Sequence, residues 1–339
     1  MRITAVNKSS KIFVAGGTGM VGTAIIERLL AAGYEKILAS YHSRQPHGAP
    51  DPRITFLKLD LTRQADVEAF FEKERPEYIF LAAAKVGGIL ANSTYKADFI
   101  YENIMIASNI INAAYRFGAT KLLNLGSSCI YPRLAPQPMK EEHLLTGALE
   151  LTNEPYAIAK IAAIKLCRYY NEQYGTNFIS VMPTNLYGPH DNFDLMNSHV
   201  LPAMIRKFLE ATHMGRGERA VVELWGTGAA RREFLYVHDM ADACVFLMER
   251  YGSRQIGEFV NLGTGSDLAV KELAELIKKI VGFEGTIVWD RTKPDGTPRK
   301  LLDISRLRAL GWEPKTALED GIRTTYAWYM KNMKCEEQR

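Results

Sequence analysis

The sequence predicts an α/β protein, with a doubly wound parallel sheet in its first half and a smaller α/β region after it. Three observations carry that prediction. Over residues 11–183, short apolar runs of strand length alternate with amphipathic stretches of helical spacing. A glycine-rich turn follows the first apolar run directly. Past residue 184 the chain becomes polar and rich in turn formers, and helical patterns dominate the remainder of the chain. A length of 339 residues suits one large domain or two modest ones. We place a cofactor domain at 1–183 and a mainly substrate-binding region at 184–339, with segments of the second crossing back to the sheet.

Element by element, "KIFVA" (11–15) reads as a buried strand, and Val21–Ala32 as a helix stopped by Gly33. Further strands are expected at 36–40, 54–60, 77–84, 121–126 and 177–183, with helices at 63–74 and about 99–117. The stretch 45–53 carries three prolines and reads as an exposed loop. In the second region, helices are expected at 199–212, 237–251, 270–281 and 317–330, separated by short strands such as "VVELWG" and "EFVNLG".

Composition narrows the function classes. Hydrophobic residues make up 47% and charged residues 24%, as in ordinary globular proteins. A net charge of +4 is too small to imply nucleic-acid binding, though it suits an anionic small substrate. Cys129, Cys167, Cys244 and Cys335 are far apart in sequence, so neither a disulfide framework nor a metal site is expected. A reducing cytoplasm is the simplest location. The start, "MRITAVNKSS", lacks the apolar core of a secretion signal, and no run is long enough to span a bilayer, so no membrane partner is expected.

"VAGGTGMVG" sets Gly16, Gly19 and Gly22 as GxxGxxG after the first strand, with Gly17, Thr18, Met20 and Val21 between them. Glycines there permit a tight turn and close approach of a pyrophosphate, and the helix N-terminus beyond favours its charge. This is the signature of a Rossmann-type dinucleotide site. About 20 residues on, where NAD sites carry an acid on the ribose, the chain reads "SYHSR" (40–44), with no carboxylate. Arg44 could pair with a 2′-phosphate, which favours NADP(H); alternatively it is a solvated loop charge. Asp60 could accept a hydrogen bond from adenine or cap the helix beginning near Thr62.

"NEPYAIAKIAAIKL" places Tyr156 and Lys160 at i and i+4 on one helical face, with Pro155 suited to the first turn. A lysine near a phenol favours phenolate and lowers the tyrosine pKa, fitting it to move protons at a carbonyl or alcohol. About 30 residues upstream, "NLGSSCIYP" (124–132) ends a strand with Ser127, Ser128 and Cys129. Together these features resemble the extended branch of the short-chain dehydrogenase/reductase superfamily. The resemblance implies that Ser127 holds the substrate oxygen beside Tyr156 and that Lys160 also touches the nicotinamide ribose.

A narrower resemblance is carried by "AAAKVGGI", "LGSSCIYP", "NEPYAIAKIA", "MPTNLYGPHDNF", "NSHVLPA" and "KPDGTPRKLLD". These segments are similar to the GDP-L-fucose synthase family, from about residue 11 to 330. Members invert C3 and C5 of GDP-4-keto-6-deoxy-D-mannose and then reduce C4 with hydride from NADPH. By that resemblance Cys129 is the epimerisation base and His199 the paired acid, while Ser127, Tyr156 and Lys160 serve the reduction. Leu125, Gly126, Ser128, Pro183, Thr184, Asn185, Leu186 and His199 would border the cofactor. Lys207, Trp225, Arg232 and Asp295 would hold the GDP-sugar, and the protein would be a homodimer joined through helices that include the Tyr156 helix. His190 is expected to shape a loop or pocket wall. Thr18 departs from members with an arginine in the glycine loop, and the 40–53 segment is longer than in shorter members.

Taken without the resemblance, plainer readings stand: Cys129 as a small buried hydrophobe, His199 as a helix cap, Lys207 as a solvated charge and Asp295 as a turn former. Two rival functions also stand. One is a sugar-nucleotide 4-epimerase or dehydratase, against which Cys129 occupies the place of a dehydratase's acid. The other is a nucleotide-sensing regulator, against which Ser127, Tyr156 and Lys160 are all present.

Overall fold

The structure is a computed structural model that describes residues 6–46, 51–195, 197–213, 219–293 and 295–336. Part of the expected 45–53 loop, the first five residues and the side chain of Cys335 lie outside the described residues. In chain order the strands are β1 (Lys11–Ala15), β2 (Lys36–Tyr41), β3 (Ile54–Lys58), β4 (Tyr78–Leu81), β5 (Lys121–Leu125), β6 (Phe178–Pro183), β7 (Asn185–Tyr187), β8 (Val221–Trp225), β9 (Arg231–Arg232), β10 (Phe234–Tyr236), β11 (Val260–Leu262), β12 (Leu268–Ala269), β13 (Thr286–Asp290) and β14 (Arg299–Lys300). The helices are α1 (Met20–Ala31), α2 (Gln64–Glu74), α3 (Ile89–Thr94), α4 (Lys96–Arg116), α5 (Glu154–Tyr174), α6 (Val200–His213), α7 (Val237–Arg250), α8 (Ser253–Ile256), α9 (Val270–Val281), α10 (Ser305–Ala309) and α11 (Leu318–Glu336).

The main sheet has seven strands in the order β11-β6-β5-β4-β1-β2-β3. Every neighbouring pair is parallel. Strand side chains alternate between faces, so Ile12 and Val14 of β1 pack into one core and Phe13 and Ala15 into another. The first core lies under α1 and α7, and the second chiefly under α2 and α4. With both faces covered, central strands are apolar throughout, as in β4 and β5. A third core joins α6, α9 and α11 to β8 and β10. The order of the main sheet reverses between β1 and β4, and a crevice opens outside the carboxyl ends of strands at such a point.

The structure makes the expected elements more specific. The expected short strand in "EFVNLG" is β11, and it joins the main sheet beside β6 with Val260 opposite Val181. It is carried there by α7, which packs on α1 through Arg28 Nε–Asp242 Oδ1 at 2.8 Å and His238 Nε2–Glu27 Oε2 at 2.8 Å. The expected 77–84 strand stops at Leu81. Ala82 N–H still donates to Ala15 O at 3.1 Å, but the chain then leaves the sheet where the glycine turn packs against Ala83. Helix α3 is only six residues long and offers too little periodicity to be read from sequence.

The second region returns to the sheet through a buried polar node at β11. Asn261 is fully buried. Its Nδ2 donates to Met139 O at 2.9 Å and Asp303 O at 3.1 Å, and its Oδ1 accepts from the Tyr131 hydroxyl at 2.5 Å. Removing this amide leaves the Tyr131 hydroxyl and the Asp303 carbonyl without this partner, each loss costing about 1–3 kcal/mol, while Met139 O keeps the Asp303 N–H. Asn261→Ala is therefore expected to lower unfolding stability by at least about 2 kcal/mol in urea titrations.

Candidate active site

A cleft of about 920 Å³ opens at the switch point of the sheet. Its floor is the turn from β1 to α1. Gly16 has φ +84°, and a side chain there would meet Ala83 Cα at 2.8 Å. At Gly22 a Cβ would lie 2.1 Å from Gly16 O, so glycine is required for the helix to sit this close to the turn. Gly16 N–H donates to Ser40 Oγ at 3.0 Å, anchoring the turn to β2. Thr18, Gly19, Met20 and Val21 line the cleft with Gly16 and Gly22. Gly17 does not: its N–H is turned into the sheet, donating to Ser40 O at 2.8 Å.

Arg44 lies at one end of the cleft, where its Nη1 donates to His190 O at 3.2 Å. His190 has φ +67° in the loop after β7, and its ring lies 4.7 Å from that of Trp328 on α11. Asp60 also lines the cleft. Its Oδ1 accepts from Thr62 N at 3.0 Å and Thr62 Oγ1 at 2.7 Å, and the Thr62 hydroxyl bond holds its pKa low. The expectation that Asp60 caps the next helix is corrected, because α2 starts at Gln64 with Arg63 as its cap residue and no capping side chain.

At the other end, β5 runs out through Leu125 and Gly126 into a 3₁₀ turn, Ser128–Ile130. Ser127 caps that turn, its Oγ accepting from Cys129 N at 3.4 Å. Tyr156 stands at the start of α5, after Pro155. Its ring meets Phe99 edge-on at 6.3 Å, and the Ser127 side chain acts on its hydroxyl, pulling its pKa down against the effect of burial. Lys160, one turn further on, donates to Leu125 O at 2.8 Å with its Nζ 5.6 Å from the Tyr156 ring centroid. Burial pushes the Lys160 pKa down to about 8. The expected lowering of the tyrosine pKa by lysine is corrected: burial dominates and pushes Tyr156 up, and the neighbouring Cys129 pushes the same way. Tyr156 is thus held as a neutral phenol, the form that can donate a proton.

Cys129 is 7% exposed and lies beside the cleft rather than among its lining residues. Burial raises its pKa, while Lys300, Ser127 and Lys160 pull it down. His199 takes the cap position of α6, its carbonyl accepting from Ala203 N at 3.1 Å. Its side chain is open to the cleft yet ringed by protein atoms, and that crowding, followed by the charge of Lys300, lowers its pKa. Ser128, Pro183, Thr184, Asn185 and Leu186 complete this wall. Thr184 Oγ1 and Asn185 Nδ2 donate to Glu233 O at 3.3 and 2.8 Å.

The four residues assigned to the sugar nucleotide come together outside the cofactor cleft. Trp225 ends β8 and is half exposed. Lys207 Nζ donates to Glu223 O, two residues before it, at 2.8 Å. Asp295 accepts from Thr227 N and Thr227 Oγ1 at 2.8 and 2.7 Å, and its carbonyl accepts from Arg232 Nη2 at 3.1 Å. Asp295 therefore braces a turn, and its carboxylate keeps further lone pairs for a ligand.

Sequence reasoning passed over Lys300, Asp191 and Glu233. Glu233 is fully buried; its Oε1 accepts from Thr264 N at 2.6 Å and Gly265 N at 2.7 Å, and its Oε2 from Leu302 N at 2.9 Å. An acid directly before the apolar run "FLYV" was the available signal. Among the described residues, no group of three or more His, Cys, Asp or Glu is placed to hold a metal ion, and no helix is long and apolar enough to cross a membrane.

A parallel sheet with a glycine-turn dinucleotide cleft and a Ser–Tyr–Lys set at its edge defines a class. The chain belongs to the NAD dependent epimerase/dehydratase family, whose model matches residues 12–263. Within that class it is 56% identical to GDP-L-fucose synthase 1 of Arabidopsis thaliana, covering 96% of this chain and 95% of that protein. It is 50% identical to the GDP-L-fucose synthase of Escherichia coli, covering 95% and 97%. A solved GDP-L-fucose synthetase of Naegleria fowleri bound to NADP superposes with a TM-score of 0.83 at 30% identity, covering 98% of this chain and 96% of that one.

Asp191 yields a test of the cleft's electrostatics. Its Oδ2 is buried and has no hydrogen-bond partner, and burial pushes its pKa from 3.8 to about 7, against the opposing pull of Asn192 N–H and Arg44. The folded state then binds the proton more tightly than the unfolded chain, so stability is lost as pH rises from 3.8 to 7. Asp191→Asn removes that loss. In urea unfolding of the cofactor-free protein, the stability of the variant relative to wild type is expected to climb between pH 4 and pH 7 and level off above.

Proposed function

We propose that this chain makes GDP-L-fucose from GDP-4-keto-6-deoxy-D-mannose, inverting C3 and C5 and then reducing C4, with NADPH as cofactor. The observation that carries the reading is the convergence on one 3₁₀ turn of two kinds of chemistry. Ser127 meets Tyr156 there, and Cys129 sits two residues further on, under the influence of the same lysine that acts on His199.

The cleft fits the cofactor. The glycine turn leaves a cradle that a Cβ at Gly16 or Gly22 would disturb, and the α1 N-terminus favours a diphosphate. Arg44 would meet the 2′-phosphate, and Asp60 the adenine. Gly16, Thr18, Gly19, Met20, Val21 and Gly22 would line the pyrophosphate, with Gly17 supporting from behind. Leu125, Gly126, Ser128, Lys160, Pro183, Thr184, Asn185, Leu186 and His199 would border the nicotinamide half. When bound, NADPH supplies a hydride.

The C4 ketone acidifies the hydrogens on C3 and C5. Ser127 and Tyr156 would hydrogen-bond the C4 oxygen. Cys129, as thiolate, takes the carbon-bound proton, and the electron pair moves onto that oxygen. The His199 imidazolium returns a proton to the opposite face, completing an inversion. During reduction, the neutral Tyr156 phenol gives its proton to the C4 oxygen, and the ammonium of Lys160 stabilises the phenolate left behind. Lys207 and Arg232 would bind the diphosphate, Arg232 bidentately. Trp225 and Asp295 would contact the nucleoside or sugar, making the region from 184 onward mainly substrate-binding.

We further propose a homodimer joined through α4 and α5, which expose Tyr101, Ile158 and Tyr169. A cytoplasmic location agrees with the unpaired state of Cys129, Cys167 and Cys244.

The test uses NADPH and GDP-4-keto-6-deoxy-D-mannose in deuterated water. NADPH consumption with deuterium at both C3 and C5 is expected; consumption without exchange would leave a plain 4-ketoreductase. Tyr156→Phe is expected to slow NADPH oxidation by at least about 100-fold while still binding NADPH. Cys129→Ser is expected to lose exchange at C3, and normal exchange there would remove Cys129 as the base. For the dimer, an Ile158→Glu/Tyr169→Glu double variant is expected to sediment as a monomer; an unchanged sedimentation coefficient would place the interface elsewhere.

A further inference from the structure

We propose that Trp328, on the last helix, is a positioning residue for the cofactor: through His190 it holds the Arg44 guanidinium ready for the 2′-phosphate of NADPH. The proposal rests on the reading of Arg44 as the 2′-phosphate residue.

The contacts run in steps from α11 to the cleft. Helix α11 docks on β7, where the Tyr187 hydroxyl donates to Leu318 O at 3.4 Å. At Gly321 a Cβ would lie 2.2 Å from that hydroxyl oxygen, so the helix comes this close only with glycine there. Further along α11, Trp328 and Tyr329 meet the loop that leaves β7. The His190 ring lies 4.7 Å from the Trp328 ring, while Phe193 stacks on Tyr329 at 4.0 Å and on Trp328 at 6.3 Å. Arg206 of α6 adds a bond from Nη1 to Phe193 O at 3.2 Å, with its Nε held by Glu210 at 2.7 Å. The loop is thus gripped at His190 and again at Phe193.

His190 has φ +67°, a left-handed conformation that histidine adopts only where its surroundings hold it. Its carbonyl accepts from Arg44 Nη1 at 3.2 Å, joining the loop after β7 to the segment after β2. Both residues line the cleft. Arg44 makes no other side-chain hydrogen bond among the described residues, so its guanidinium is anchored at one N–H and keeps the rest of its fork for an anion. An exposed arginine without an anchor samples many rotamers, and ordering it on a ligand costs affinity. The His190 carbonyl removes part of that cost before the cofactor arrives. NADH has no 2′-phosphate and gains nothing from Arg44, so the benefit falls on NADPH alone. Trp328 enters because it packs on the ring of the residue whose carbonyl is the anchor.

The test needs no sugar substrate. Binding of NADPH and of NADH to the full chain is measured by titration calorimetry. Trp328→Ala is expected to raise the Kd for NADPH about fivefold or more and to leave that for NADH within about twofold. Trp328→Phe, which keeps a ring against His190, is expected to restore most of the loss. In an Arg44→Met background, where the phosphate contact is gone, Trp328→Ala is expected to weaken NADPH no further. Equal weakening of both cofactors, or an unchanged Kd for NADPH, overturns the proposal. If Trp328→Ala does not fold, His190→Gly decides on the same outcomes, since glycine keeps the carbonyl and its backbone conformation but removes the ring that Trp328 holds. Arg44→Met binding NADPH as tightly as wild type would remove the reading of Arg44 and the proposal with it. Weaker NADPH binding in Arg44→Met but not in Trp328→Ala would strike the positioning role alone.

Discussion

The site depends on one buried carboxylate. Glu233 sits in a fully enclosed position where an unpaired acid would be strongly disfavoured, and its burial raises its pKa. Three backbone N–H groups, from Thr264, Gly265 and Leu302, converge on it and offset that cost. Its own carbonyl accepts from Thr184 and Asn185. One residue therefore ties together the end of β6, the loop after β11 and the segment after β14. The first of these lines the cofactor cleft, and Arg232, assigned to the sugar nucleotide, is the immediate neighbour of Glu233.

The fold was legible where a single periodicity governed a segment. The first five strands and the helices α1, α2 and α4 follow from apolar runs and helical spacing, because both sheet faces are covered and nothing local competes. Residue patterns failed where a segment's place is set by distant contacts. "EFVNLG" reads as a strand, but only the packing of α7 on α1 sends it to the edge of the main sheet. The end of β4 is invisible in the sequence because Ala82–Ala84 are as apolar as the strand before them; the glycine turn opposite decides where it stops.

The site was legible in its motif residues and not in their electrostatics. Gly16, Gly22, Ser127, Tyr156 and Lys160 announce themselves by spacing, since each spacing is demanded by a turn or a helical face. The protonation of Tyr156 could not be read that way. A YxxxK pair suggests an activated phenolate, but enclosure by Phe99 and the 3₁₀ turn outweighs the lysine, whose Nζ is held by Leu125 O.

The return of α7 and β11 to the sheet has a consequence for modularity. Without them, β6 would present an open edge of unpaired backbone groups, and α1 would expose the side of its apolar stripe that α7 covers. The chain crosses from one half to the other and back before either is complete. Neither half is a cassette that can be cut out or exchanged for that of a relative, and a change of substrate must come from side chains and loops replaced in place.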